Sequence, residues 1–321
     1  MLSSLMFQLN QTLGRSVPVT TRANRLAHRR ARHLRERLIE LSLLLAAFSS
    51  VATTVAIVAI LVYESLAFFQ HVSLIDFLTD TQWTPLFDDA HFGIMPLLAG
   101  TLVTTAVALL VAIPLGTIIA IYLSEFAPYK VREVAKPFLE ILGAVPTVVF
   151  GYFALIVVTP LLQVVFPNLP GFNMLSAGLV MGIMIIPYVS SLSEDAMRAV
   201  PMHIREGSYA MGATRFQTAL RVVTPAAFSG IAAAYILGIS RAVGETMVVA
   251  VAAGMQPNLT WNPMEPAATI TAYIVQVSLG DLPHGSIGYQ TIFAAGLTLM
   301  LMTLVFNIGG YMLSRRFRER Y

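Results

Sequence analysis

Stretches free of Asp, Glu, Lys and Arg run over residues 41–63, 90–124, 141–193, 222–240 and 282–314. Each is about as long as, or longer than, the roughly 20 residues a helix needs to cross the hydrocarbon core of a bilayer. The third is too long for one crossing. It is interrupted at 167–171 by Pro-Asn-Leu-Pro-Gly, where two prolines and a glycine cannot continue a helix, so it supplies two crossings joined by a short turn. The pattern predicts an all-α integral membrane protein of six transmembrane helices. It reads as a basic extension (1–37), a membrane domain (38–316) interrupted by a polar segment at 194–224, and a short tail (317–321).

Composition agrees: 56% of residues are hydrophobic and 12% charged, against about 25% charged in soluble domains. Positive charge sets the expected orientation, because Lys and Arg are retained on the cytoplasmic side of short loops. Eight of the twenty Lys and Arg precede residue 41, three lie in 130–136, four in 198–221 and four after 314. Segments 64–89, 162–175 and 255–287 hold none, and the first and last carry acids such as Asp76, Asp88, Asp89, Glu265 and Asp281. Both termini are therefore expected in the cytoplasm and these three segments outside. A basic excess confined to membrane-flanking loops needs no nucleic-acid partner. Arg22, Arg25, Arg29 and Arg32 would share one face of a helix, a surface suited to anionic lipid head groups as well as to fixing topology.

The remaining cation, Arg241, lies inside the fifth apolar run with Glu245 four residues on. Ionisable groups at membrane depth are expensive and must face protein or water. The i,i+4 spacing puts both on one helix face, a turn apart. Two readings stand: a structural pair that neutralises itself, or a site for an anion with a proton to share. A guanidinium replaces lost hydration with forked, charge-assisted hydrogen bonds, and a carboxylate accepts from an O–H that phosphate has near neutral pH and sulfate lacks. Gly238 and Gly244 read as packing positions beside Arg241, with Gly244 and Thr246 completing the candidate site. Pro146 and Thr147, inside the third apolar run, are candidates for lining a pathway through an opened backbone ladder.

The segment 193–225 is helical in pattern and too long for a minimal turn. Pro201 suits a helix start, and Gly212-Ala213 allows a turn with close backbone approach. Glu206-Gly207-Ser208, Gly212 six residues after the glutamate, then Val222 and Pro225, resemble the EAA-G-I-LP loop of ABC importer permeases, with Gly207 and Ser208 in place of the family's alanines and Thr224 in place of its leucine. The runs 238–247 (GISRAVGETM), 143–151 (GAVPTVVFG) and 113–125 (IPLGTIIAIYLSE) are similar to the phosphate-specific branch, the Gly-Glu-Thr-Met ending favouring its PstC type over the PstA type. The resemblance covers about residues 40–316.

It implies a type I (MetI-like) permease fold in the bacterial cytoplasmic membrane, with Arg205, Glu206, Gly207, Ser208, Gly212 and Ala213 in a coupling helix that docks on an ATPase. The implied partners are a second, PstA-like permease, a PstB-like ATPase dimer that binds ATP and Mg, a PstS-like phosphate-binding protein meeting the outward segments, and a phosphate-signalling regulator. The Arg and Glu of the Arg-Ala-Xaa-Gly-Glu-Thr run are implied in phosphate passage. A PstA-type position, or a permease for sulfate or molybdate, is the alternative. No Walker A loop is present, since neither Lys130 nor Lys136 precedes Ser or Thr, so nucleotide chemistry belongs to a partner. No paired-His spacing suggests a metal, and no nucleophile accompanies Glu245 for an intramembrane enzyme. Cysteine is absent, which removes disulfides and thiol chemistry.

Overall fold

A computed structural model describes residues 19–316 except Asp88, Asp281 and His284, with the side chains of 19–34, 313 and 316 also left undescribed. The first eighteen residues and the 317–321 tail, with the expectations placed on them, lie outside the described part. The chain divides into two compact units, Met1–Ile60 and Leu61–Tyr321.

In the first unit, helix α1 (Val19–Phe69) begins and continues into the first apolar run without a break. The hydroxyls of Ser42, Ser49, Thr53 and Thr54 donate to carbonyls three or four residues back. Hydrocarbon demands this, because it offers no other partner.

The second unit is a bundle built around α7 (Met174–Arg198). Its principal partner is α3 (Met95–Ile121), which ends in a π-helical turn, Tyr122–Phe126. Small residues set the approach: a Cβ on Gly178 would fall 2.7 Å from Val107, and one on Gly182 2.7 Å from the Ala108 carbonyl oxygen. Lipid gives helices no hydrophobic reason to associate, so such close packing supplies the attraction. Met181, Met184, Ile185 and Val189 of α7 complete a core with Ala108 and Ala112.

Around this pair lie the short α2 (Leu74–Thr79), α4 (Tyr129–Ala144), then α5 (Thr147–Phe153) and α6 (Thr159–Val165) joined through a π-helical turn. After α7 come α8 (Met202–Ala210), α9 (Arg215–Thr218), α10 (Thr224–Ala226), α11 (Phe228–Val243), α12 (Met247–Ala252), α13 (Ile270–Ser278) and α14 (Ile287–Arg316). Among the described residues, five helical stretches are long and apolar enough to cross a membrane, and the count reaches six when the pair Arg215–Ala226 and Phe228–Val243, bent by 72°, is taken as one broken span. Among the described residues no strand forms, and one isolated bridge pairs Trp83 with Phe92.

Two expectations are corrected. Pro146 does not lie inside the third span: α4 ends at Ala144, Val145 and Pro146 are extended (ψ 131 for both), and the span itself is Thr147–Val165. The proline disfavours helix in the residue before it, so the chain separates an amphipathic helix from a crossing one. Nor is 255–287 simply an outward loop. It contains α13, whose Ile270, Tyr273 and Val277 are buried with Phe68, Phe77, Trp83 and Leu97. Thr269 caps α13, and Thr101 of α3 accepts the Ile270 N–H at 3.1 Å.

Candidate anion site and coupling helix

Arg241 and Glu245 do not share a helix face. Helix α11 ends at Val243 with Gly244 at its C-cap, and the chain turns before α12 begins at Met247. Glu245 lies in the break, 8% exposed, and its Oε1 accepts the backbone N–H groups of Met247 (3.1 Å) and Val248 (3.3 Å). It therefore closes the start of α12, while its own carbonyl accepts the Thr271 hydroxyl at 2.7 Å. The Thr246 hydroxyl turns back to the Gly244 carbonyl. The turn at 244–246 thus makes the expected pair a helix end and a helix cap.

Arg241 is left without its expected partner. No hydrogen bond or ion pair from a described residue reaches its guanidinium, and Nε is buried with no acceptor. What it does meet is an aromatic face: Cζ stands 4.2 Å from the centroid of the Tyr188 ring on α7. Such a contact holds a cation with about 0.5–2 kcal/mol but satisfies none of its N–H donors. The packing expected of Gly238 is present, since a Cβ there would meet Val189 at 3.1 Å and Ile185 at 3.5 Å. Gly244 is exposed and serves the helix end instead.

Pro146 and Thr147 stand at the neighbouring break, between α4 and α5. The two breaks are linked. Helix α5 packs on α12, where a Cβ on Gly151 would touch Val251 at 3.0 Å and the Met247 carbonyl oxygen at 3.2 Å. The Tyr188 hydroxyl donates to the Gly143 carbonyl at the end of α4 (3.2 Å) while its ring lies against Arg241. Tyr188 was missed by sequence reasoning. Its one available signal was being the sole tyrosine in the apolar run 171–193, directly after Pro187.

In the coupling segment, α8 forms despite Gly207, and Gly212 takes φ +82, the left-handed conformation that glycine adopts most easily. Glu206, Gly207 and Gly212 are exposed, with Met202, Met211 and Phe216 beside them at 61%, 89% and 62% exposure. Ser208 is half-buried, its hydroxyl bonded to that of Thr218, and the Ala213 N–H donates to the Ser208 carbonyl. Thr214 and Gln217 then form a reciprocal capping box that starts α9.

Arg205 departs from the expected docking role. It is buried, and its guanidinium donates to both carboxylate oxygens of Glu125 (3.0 and 3.4 Å) and to the carbonyls of Met197 (2.8 Å) and Val200 (2.5 Å). These bonds fix α8 to the ends of α3 and α7. Nearby, Lys136 of α4 donates to Glu194 (2.9 Å) and Asp195 (2.7 Å) of α7, the former fully buried. Burial pushes the Lys136 ammonium down, but the hydrogen bonds and charges of Asp195 and Glu194 outweigh it and the net shift is upward. No cluster of metal-ligating side chains occurs among the described residues.

This arrangement is a known class of bundle. A chain of a bacterial ABC transporter involved in the import of alginate superposes with TM-score 0.58 at 18% identity, covering 79% of this chain and 88% of that one. A chain of the inward-facing MetNI methionine ABC transporter superposes with TM-score 0.53 at 18% identity, covering 71% and 95%. At such identity the likeness defines the fold, that of ABC importer permeases. The chain belongs to the family described as binding-protein-dependent transport system inner membrane components, which matches residues 112–319. It is a multi-pass membrane component of a transport system. Among relatives, the probable ABC transporter permease protein YqgH of Bacillus subtilis is 36% identical over 269 residues, 83% of this chain and 87% of its own length. The phosphate transport system permease protein PstC of Mesorhizobium japonicum is 34% identical over 262 residues, 74% and 78%.

Proposed function

We propose that this chain is the PstC-type permease of an ATP-driven phosphate importer, and that Arg241 receives the anion within the membrane. The observation that carries the reading is the guanidinium itself. A cation inside a bundle, with no acceptor from any described residue, is costly unless a ligand supplies one. PstC relatives at about a third identity over most of the chain supply the substrate class. Glu245 Oε1 is occupied by backbone donors, and no protein donor among the described residues reaches Oε2, which leaves that oxygen to accept the phosphate O–H.

Both termini and the α8–α9 segment lie in the cytoplasm in this reading, and the exposed face of α8 docks on a PstB-like ATPase dimer that binds ATP and Mg. A PstA-like permease completes the pathway, and a PstS-like protein delivers phosphate outside at the acidic segments. A phosphate-signalling regulator would meet the same cytoplasmic face.

The test is ATP-dependent phosphate uptake by vesicles holding the full complex, with sulfate as competitor. Arg241→Gln, and the double variant Arg241→Gln, Glu245→Gln, should both copurify with partners at normal yield, because no ion pair is broken. Uptake by both should stay near background. Near-normal uptake by either would remove anion recognition from Arg241, and uptake equally inhibited by sulfate would replace phosphate with a broader oxyanion.

A further inference from the structure

Tyr188 does two things at once, and neither is needed for packing alone. Its ring lies against the Arg241 guanidinium, 4.2 Å from Cζ to centroid, and its hydroxyl is fixed 3.2 Å from the Gly143 carbonyl. We propose that Tyr188 is the positioning residue of the anion site: its ring holds the Arg241 guanidinium from one side without supplying an acceptor, so that the terminal N–H donors are left for a tetrahedral oxyanion. The proposal rests on the phosphate reading of Arg241 and extends it to a second side chain.

A ring centred 4.2 Å from Cζ attracts the guanidinium and steadies it without taking the place of an anionic acceptor. A carboxylate in that place would pair with the cation and compete with the incoming anion; an aromatic quadrupole attracts the cation but offers no lone pair to its edges. Finally, the ring cannot drift, because α7 anchors its backbone, a carbonyl at the close of α4 holds its hydroxyl, and Pro187 precedes it. The same ring borders a mainly apolar cavity of about 420 Å³ lined also by Glu140, Gly143, Ala144 and Leu192. Tyr188 thus joins the Gly143–Pro146 break to Arg241 near the end of α11.

The experiment reads Arg241 directly. In vesicles holding the complete complex, inorganic phosphate is titrated against modification of arginine by a glyoxal reagent, and the peptide carrying Arg241 is quantified by mass spectrometry. Wild type should be protected by phosphate and not by sulfate. Tyr188→Leu should require about tenfold more phosphate for the same protection, as loss of a desolvated cation–π contact implies. Tyr188→Phe keeps the ring and should protect like wild type, which also controls for folding at this position. Phosphate uptake should follow the same order.

Equal protection in wild type and Tyr188→Leu would overturn the role of Tyr188 while leaving the reading of Arg241 intact. A shift in Tyr188→Phe as large as in Tyr188→Leu would assign the effect to the hydroxyl and overturn the stacking argument. No phosphate protection in wild type would overturn the phosphate reading and this inference together.

Discussion

Arg205 and Arg241 are the same side chain in opposite circumstances. Arg205 has both oxygens of Glu125 and two helix-end carbonyls within hydrogen-bond reach, and ties the coupling helix to the bundle. Arg241 has a ring beneath it and no acceptor from any described residue. A buried cation whose donors are met from within is part of the framework; a half-buried one whose donors are left open is poised for something that arrives. Sequence position pointed the other way, since Arg205 adjoins the exposed glutamate of the coupling motif and Arg241 has a glutamate four residues on. The contrast implies that removing Arg205 harms folding before transport, and removing Arg241 harms transport alone.

The largest expected effect is therefore on stability at Arg205. Arg205→Leu strands the Glu125 carboxylate, whose side chain is 6% exposed, together with two carbonyls. It should cost about 3–5 kcal/mol, the usual result of breaking a buried pair from one side. Thermal unfolding of the purified permease should register this. A loss below about 1 kcal/mol would place Arg205 with solvent-exposed pairs and dissolve the contrast.

Lys136 offers an intermediate case, part-exposed but bonded to the buried Glu194. Lys136→Met should cost about 1.5–3 kcal/mol, the range for hydrogen bonds to charged groups. Its folded pKa is raised, so its contribution is complete below the ordinary value of 10.5 and is lost as pH climbs through the higher, folded value. The unfolding midpoint of wild type should fall more steeply across that range than that of Lys136→Met. Parallel profiles would mean that the ammonium adds nothing.

At the small end, Arg241→Gln should leave the unfolding midpoint within experimental error of wild type while uptake is lost. A midpoint lowered as far as in Arg205→Leu would show that Arg241 belongs to the framework after all.

The six spans, their break at 167–171, and the glycine turn at Gly212 were legible in the sequence, because each rests on a local property. Twenty uncharged residues must lie in lipid, two prolines with a glycine must end a helix, and a coupling loop needs a residue tolerant of positive φ. Helix α8 was equally visible in the sequence, and Glu206, Gly207 and Gly212 are exposed on it and on the turn that follows. Local pattern also located the unusual charge at membrane depth, though not its surroundings.

Tertiary structure decided the rest, for reasons of distance along the chain. Whether Arg241 and Glu245 pair depends on whether the helix continues past Gly244, and here Thr271, 26 residues away, accepts no such continuation: its hydroxyl holds the Glu245 carbonyl. Arg205 points inward because Glu125, 80 residues earlier, closes the end of α3 beside it. Helix α13 is too short and too polar at its ends to announce itself as a membrane element, and it is defined by burial against Trp83 and α3. Tyr188 gains its role only when α7 brings it between the Gly143 carbonyl and the Arg241 guanidinium. Sequence fixes which groups must be sheltered from lipid, since hydrocarbon penalises every unmet charge and hydrogen bond, whereas folding chooses the partners that do the sheltering.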